Sequence, residues 1–341
     1  MVAGNAPARR GSRDLEMATT HPKEAEMKHE AWQELPFDAW KDTCATLHLW
    51  TQIVGQIRVA QTPWLCHSWH TTLYLTARGL TTSPIPYNER TFQVDFDSLD
   101  HALLVAVDDG ARRSVKLEAR SVAAFHDALF AALDELGLHI AIHGSPNELP
   151  EAIPFREDTV HASYDAEYAQ RFWRVLLRSD RALKWFRTGF LGKSSPVHFF
   201  WGSFDLAVTR FSGRPAPPHP GGFPNLPDEI TREAYSHEVS SAGFWPGGGP
   251  VDYAAFYSYA YPAPGDFGNQ PVRPDGAFFH EGAGEFILPY EAVRNAPDPE
   301  AALQEFLQST YEAAANTAKW DRDALECELG LPRVPRQAYP G

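Results

Sequence analysis

The stretch His198–Phe211, HFFWGSFDLAVTRF, constrains the fold more than any other part of the sequence. Its aromatic and β-branched residues show no helical period, so it is predicted to form one long strand. Side chains of a strand alternate between two faces. One predicted face is apolar in its middle, and the other combines aromatic rings and hydroxyls with Asp205. Aspartate is depleted in strands, so Asp205 indicates either a solvated or ion-paired position or a carboxylate lining a cavity.

A second stretch resembles this one. The sequence WHTTLYLTARGLTTSPIP begins at Trp69, and WGSFDLAVTRFSGRPAPP begins at Trp201. Aligned without gaps, Trp69 matches Trp201 and Arg78 matches Arg210, and both stretches continue into a Pro-rich turn. We therefore predict an internal duplication.

Each half is predicted to contain a helix, four strands and a second helix. Most connections between the strands are too short for crossover helices, so the strands are predicted to be antiparallel. The predicted fold class is α+β, with two related helix–four-strand–helix repeats that form antiparallel sheets flanked by helices. The predicted division is a disordered tail (1–30), a first repeat (31–150), a linker (151–162), a second repeat (163–325) and a C-terminal tail (326–341).

Several local features follow from the same patterns. Strands are predicted at Trp69–Leu80, His139–His143 and Ala234–Phe244, and a helix from Asp165 is predicted to be capped by Ser163. Residues 212–230 are rich in Pro and Gly and too long for an ordinary connection, so they are predicted to form a lid, a binding loop or a disordered segment.

Charge and cysteine content limit the classes of partner. The 341 residues include 30 Lys and Arg and 44 Asp and Glu, a net charge of −14, which disfavours nucleic acids and anionic membranes. Cys44, Cys66 and Cys327 form no CxxC motif, and no apolar run approaches the length of a membrane span. We expect a soluble cytoplasmic protein with a small-molecule ligand and with neither nucleic acid nor membrane as a partner; the sequence does not predict an oligomeric state.

Fourteen histidines raise the question of a metal site. His67 and His70 are three residues apart in a predicted strand and would face opposite ways. Cys44 and His48 share a helix face, but packing explains such a pair more often than metal binding. Two histidines with a carboxylate would suit a transition metal, which leaves such a metal as a candidate cofactor without establishing it.

The best group of candidate site residues lies in the second repeat, near its Pro/Gly-rich loops. A histidine oriented by a carboxylate can act as a general base, and an arginine can hold an anionic substrate. The candidate catalytic residues are His198, Asp205, His237 and Glu238. The candidate substrate-binding residues are Arg78, Trp201, Arg210, Trp245, Tyr257 and Tyr259. No spacing among them is diagnostic of a known reaction.

Two functions are compatible with this pattern. The first is an enzyme acting on a small polar or anionic metabolite, with its site in the second repeat. The second is a non-catalytic protein whose aromatic pocket binds a small molecule. Phosphate-loop and nucleophile-elbow motifs are absent from the sequence.

Several long stretches resemble a bacterial family of unknown function. They include WKDTCATLHLWTQIVGQIR, SPVHFFWGSFDLAVTRFSGRPAPPHPGG, YSHEVSSAGFWPGGG and FYSYAYP. The resemblance extends over about residues 32–325. It implies a bacterial cytoplasmic protein, and it supplies no catalytic residues.

Overall fold

The structure, a computed structural model, describes residues 32–249 and 251–336. The tail predicted at 1–30 lies outside these residues, as does the end of the tail predicted at 326–341. The described chain forms two antiparallel sheets of six strands each, with helices packed against them, which confirms the α+β fold class. Within it, no helix is long and apolar enough to cross a membrane.

The first sheet has the order β1-β2-β4-β5-β6, with β3 paired to β4. Its strands are β1 (Tyr74–Leu75), β2 (Gly79–Thr81), β3 (Ile85–Tyr87), β4 (Arg90–Asp97), β5 (Ala102–Val107) and β6 (Arg112–Lys116). The second sheet has the order β11-β12-β10-β9-β8-β7. Its strands are β7 (His198–Phe200), β8 (Asp205–Pro215), β9 (His237–Trp245), β10 (Ala255–Tyr261), β11 (Phe278–His280) and β12 (Glu285–Pro289).

The two sheets meet edge to edge. Leu73, next to β1, pairs with Phe199 of β7: each backbone N–H donates to the carbonyl oxygen of the other residue at 2.9 Å. Both side chains are fully buried, and one continuous hydrophobic core extends under both sheets. The predicted halves therefore share one interior.

The helices of the described chain are α1 (Phe37–Gln61), α2 (Val122–Glu135), α3 (Ala166–Thr188), α4 (Asp228–Ala234), α5 (Tyr290–Arg294), α6 (Pro299–Thr317) and α7 (Arg322–Leu325). The longest helix, α1, begins after Pro36 without a side-chain cap, whereas Ser121 accepts from Ala124 N–H at α2 and Asp298 accepts from Ala301 N–H at α6. At α3 the cap is Asp165, so the prediction of Ser163 as the cap is wrong.

The prediction of a single strand over His198–Phe211 is also wrong. β7 and β8 are separate antiparallel strands joined by a turn, in which Phe204 adopts a left-handed backbone (φ 60°). The segment predicted as a strand over Trp69–Leu80 instead begins with a turn at residues 69–71 and contains the short strands β1 and β2. The β7–β8 turn contains Gly202, a turn residue, but the strand-forming residues on both sides of it favoured one continuous strand in the prediction.

Four further predictions need correction. Each half contains six strands rather than four. The segment His139–His143 is extended but unpaired, and the strand predicted from Ala234 begins at His237 because α4 occupies Asp228–Ala234. The Pro/Gly-rich loop is shorter than 212–230, since β8 continues to Pro215 and α4 begins at Asp228. The duplication itself remains a prediction.

The long helix α1 holds the β7–β8 turn through Trp201. The indole Nε1–H donates to the Thr71 carbonyl at 2.7 Å, and the ring lies over Gly55. A Cβ on Gly55 would lie 2.2 Å from that ring, so the contact requires a glycine.

We predict that Gly55→Ala lowers the free energy of unfolding by about 1–3 kcal/mol through overpacking. Alanine is otherwise favoured over glycine in a helix by about 1 kcal/mol, so a loss of stability has to come from the Trp201 contact. Urea denaturation measures the change. The matched control is Gly265→Ala, where a Cβ meets no atom within 4 Å. A Gly55→Ala variant as stable as the wild type would contradict the packing described.

Candidate active site

The second sheet has two chemically different faces. One face packs on α3 and α6 and carries apolar side chains such as Leu206, Phe244 and Phe256. By strand alternation and register, the opposite face combines polar side chains with apolar ones such as Ala207, Phe211 and Ile287. Its polar side chains include Asp205, Thr209, Ser241, Tyr257, Tyr259 and Glu285. This polar face forms the floor of the candidate active site.

A hydrogen bond between Tyr257 and Asp205 spans three strands. Tyr257 lies on β10 and donates its hydroxyl hydrogen to the carboxylate of Asp205, the first residue of β8. Gly243 of β9 lies between them, and a Cβ there would be 2.5 Å from the Tyr257 Oη. The absence of a side chain at Gly243 is thus what allows the tyrosine to cross β9.

Burial raises the pKa of the Asp205 carboxyl to about 7. The hydrogen bond from Tyr257 favours the ionised form and limits the rise, while the charges of Glu148 and Glu285 increase it. Burial also raises the pKa of Glu285 to about 7 and that of Glu148 above its ordinary value. Within the described residues, no Lys or Arg forms an ion pair with any of these three carboxylates.

Glu148 reaches the site from the segment 144–149, which α1 holds in place. The side chain of Gln52 accepts from the Asn147 N–H at 2.8 Å and donates to the Asn147 carbonyl oxygen at 2.9 Å. Gln56 similarly donates to Ser145 O at 2.6 Å and accepts from Gly144 N–H at 3.1 Å. These contacts fix the backbone immediately before Glu148.

The side chain of Glu148 forms one wall of the site. Its Oε2 accepts from the exposed hydroxyl of Ser203 at 2.6 Å, and its Oε1 fills the space where Gly202 lacks a side chain. The Glu148 N–H donates to Pro224 O at 2.8 Å, which ties this wall to the loop at residues 216–227. Because Ser203 is exposed, this end of the site opens to solvent.

Tyr235 covers the site from the segment after α4. Its hydroxyl is 2.8 Å from that of Tyr259 on β10. Burial raises the pKa of Tyr259 to about 12, with the hydrogen bonds to Tyr235 and Ser241 opposing the rise. Ser241 is in turn 2.9 Å from the Thr209 hydroxyl, so hydroxyl groups continue across the floor. All of these tyrosines stay protonated at neutral pH.

Three of the predicted site residues therefore meet here: Asp205, Tyr257 and Tyr259. Trp245 flanks them, packed with Tyr257 against the small apolar cluster of Val251, Ala255 and Ile287.

The two predicted histidines do not join Asp205 in one constellation: His198 pairs with Ala207 on the same face as Asp205 but lies among aromatic rings, and His237 lies far along β8. His237 pairs with Pro215, ten residues along β8 from Asp205, which at 3.3 Å per residue is about 30 Å. His198 is fully buried among the rings of Trp69 and Tyr74, and burial lowers its pKa to about 3. The structure therefore does not bring His198, His237 and a carboxylate together.

The remaining predicted residues make structural contacts. Glu238 pairs with Arg214 at 2.6 Å on the opposite face of the sheet. Arg210 points into the core, where its guanidinium lies 3.5 Å from the Phe186 ring centroid and 4.4 Å from that of Tyr311.

Two other residues that were predicted to bind substrate lie outside the candidate site. Arg78 is in the first half, paired with Asp97 and Asp100. Trp201 is the ring held against α1.

The histidines that the sequence suggested as metal ligands form hydrogen bonds with protein groups instead. His67 Nδ1 bonds to Ala234 O, and His70 Nδ1 accepts from Leu65 N–H. His48 Nε2 bonds to Gly202 O at 2.8 Å, and burial lowers its pKa to about 4. Within the described residues, no group of three His, Cys, Asp or Glu side chains has an arrangement that could hold a metal ion.

Sequence reasoning missed Glu148, Glu285, Ser203 and Tyr235. Glu285 carried a signal like that of Asp205, because it is a carboxylate next to the strand-forming run FILPY. Glu148 carried no such signal, since it lies in a Pro-rich stretch without an apolar pattern at the end of the predicted first repeat.

We predict that Asp205→Asn stabilises the protein increasingly as pH rises from 5 to 8. The folded pKa of about 7 exceeds the ordinary value of 3.8, so the folded state binds the proton more tightly and wild-type stability falls as pH rises between these values. Above pH 7 this cost is up to about 4 kcal/mol. Urea denaturation at several pH values measures it, with exposed Asp42→Asn as the control. A pH-independent difference between Asp205→Asn and wild type would contradict the assignment.

Comparison with known proteins leaves the chemistry open. No curated protein matches the chain, and neither does any solved structure. A family match covers residues 32–327, nearly all of the described chain, and its description is "Family of unknown function (DUF5996)". The chain belongs to this family of unknown function.

Proposed function

We propose that the protein is an enzyme that performs general acid–base chemistry on a small polar metabolite bound in the cleft over the second sheet. One observation carries the proposal: the Asp205 carboxyl, held by Tyr257 beside Glu148 and Glu285, has a pKa of about 7. A group with a pKa near the working pH is the most effective proton carrier.

We assign the role of general base to Asp205. The hydrogen bond from Tyr257 stabilises its ionised form and fixes its orientation, because the high pKa of Tyr257 keeps the phenol as a donor. Glu148 is suited to the role of general acid. Burial raises its pKa, with the hydrogen bond from Ser203 opposing the rise, and its side chain lies at the end of the site that opens to solvent. Two carboxyl groups in different environments can thus serve the two roles.

The charges of the site bear on its substrate. Three carboxylates converge, and the arginines predicted to hold an anion lie elsewhere: Arg210 in the core and Arg78 in the first half. A neutral or cationic polar metabolite fits this electrostatic environment better than an anionic one.

The second candidate function is binding without chemistry. It is favoured by the aromatic side chains around the same cleft, since Tyr257 and Tyr259 stack at 6.2 Å and Trp245 packs beside them. For a binding protein, the loss of these rings would remove the ligand, whereas a change at Asp205 would have little effect.

We predict that the wild-type protein, incubated with a mixture of polar metabolites, changes the mass of at least one of them, and that Asp205→Asn reduces this rate by about 100-fold or more. Untargeted mass spectrometry follows substrate loss and product gain. With the identified substrate, kcat/KM should rise with pH through about 7, because the base has to be ionised.

The control for this experiment is Asp42→Asn, which removes an exposed carboxylate of α1 far along the chain from the cleft. Wild-type turnover by Asp205→Asn would overturn the assignment. Metabolites that are retained on ultrafiltration with unchanged mass, and that are lost on Tyr259→Ala, would favour the binding function instead.

A further inference from the structure

A lysine, a histidine and a cysteine meet at the other end of β8, away from the cleft. The Lys193 Nζ is 2.7 Å from the His67 Nε2 and 4.0 Å from the Cys66 Sγ. Cys66 and Lys193 are exposed, whereas His67 is only 5% exposed. A thiol, an amine and an imidazole are therefore within reach of one another at the surface.

The proton positions on His67 follow from its partners. Its Nδ1 is 2.7 Å from the Ala234 carbonyl oxygen, which can only accept, so Nδ1 carries the ring proton. Its Nε2 is then the unprotonated nitrogen, and the Lys193 amine donates to it. Burial lowers the pKa of His67, which keeps the ring in this neutral form. The imidazole thus presents a basic nitrogen to Lys193.

The backbone of His67 is held in this position. His67 adopts a left-handed conformation (φ 59°), and its N–H donates to both carboxylate oxygens of Glu233, at 3.1 and 3.0 Å. Its ring also packs 4.7 Å from the ring of Phe211. A histidine in such a conformation is maintained by its surroundings and does not move freely.

Several lysines of the described chain form an ion pair with a carboxylate. Lys184, for example, pairs with Asp180 at 2.7 Å. Lys193 instead lies over the faces of Phe211 and Trp69, at 4.8 and 5.3 Å from their centroids, and within the described chain it forms no ion pair with a carboxylate. Lys193 therefore has aromatic rings and an imidazole around its amine in place of a carboxylate partner.

We propose that Lys193 is an acyl-acceptor site, which receives an acyl group from a small thioester through Cys66. The Cys66 thiol first exchanges with the thioester, forming a Cys66 thioester and releasing the donor thiol. The Lys193 amine then attacks the carbonyl carbon, so that a C–N bond forms and the C–S bond breaks. His67 Nε2 takes the proton from the attacking nitrogen and returns it to the departing Cys66 sulfur. The product is an amide on Lys193 and a regenerated thiol.

Proximity supplies the main advantage of this route. An amine about 4 Å from a bound thioester reacts as part of the same molecule, which raises its effective concentration far above that of a thioester in solution. The transfer would also remove the positive charge of Lys193 and with it the contacts to Trp69 and Phe211. The site is separate from the proposed cleft and does not depend on its function.

The test is incubation of the full chain with S-acetyl-N-acetylcysteamine at pH 8, followed by quantitative peptide mass spectrometry. We expect Lys193 to be acetylated on the order of tenfold faster than Lys184 in the same sample. Cys66→Ser should reduce the Lys193 rate to that of Lys184, and His67→Gln should reduce it while leaving the Cys66 thioester detectable. Equal rates at Lys193 and Lys184 in the wild type would overturn the proposal.

A second reagent shows whether the Cys66→Ser variant has lost acyl transfer through Cys66 or has lost its fold. The N-hydroxysuccinimide ester of acetic acid acylates amines directly and needs no thiol. Cys66→Ser should therefore react with this ester at Lys193 as fast as the wild type does. If the thioester acetylates Lys193 in Cys66→Ser as fast as in the wild type, Lys193 reacts without Cys66 and the proposed transfer through Cys66 is wrong.

Discussion

The pairing of Leu73 with Phe199 is the contact on which the rest of this molecule depends. Two backbone hydrogen bonds close the gap between two six-stranded sheets, and both residues are fully buried. An unpaired sheet edge at this place would leave buried N–H and C=O groups without partners, which is costly. The junction lets both sheets share one core, and it places the first half of the chain beside the polar face of the second sheet.

The helix predicted from Asp165 was placed to within one residue, because helix signals are local. Its apolar spacing and its N-terminal cap involve residues only a few positions apart, and α3 begins at Ala166. The hairpins were predicted poorly because the turn before Asp205 contains Phe204 in a left-handed conformation, which no residue preference indicates. Strand-forming composition alone could not show where one strand ended and the next began.

The candidate site could be predicted only in part, for a related reason. Asp205 is conspicuous as a carboxylate in an aromatic strand, and the alternation of Tyr257 and Tyr259 is visible in the sequence. Their contact depends on Gly243, which lies on a third strand and matters only because it has no side chain. Glu148 reaches the site through backbone contacts with α1 that no local pattern encodes. His237 shows the opposite failure: its residue type suited a site, but the register placed it at the far end of β8.

The contacts of α1 have a mechanical consequence. Within this one helix, Gln52 and Gln56 hydrogen-bond to the segment before Glu148. Gly55 leaves the space in which the Trp201 ring packs. Arg58 donates to the Thr72 and Thr82 carbonyls of the first half. The helix α1 therefore connects the first sheet to the segment that carries Glu148. A tilt of α1 by a few degrees would move the segment that carries Glu148, so a helix of the first half controls where this carboxyl group lies relative to the second sheet.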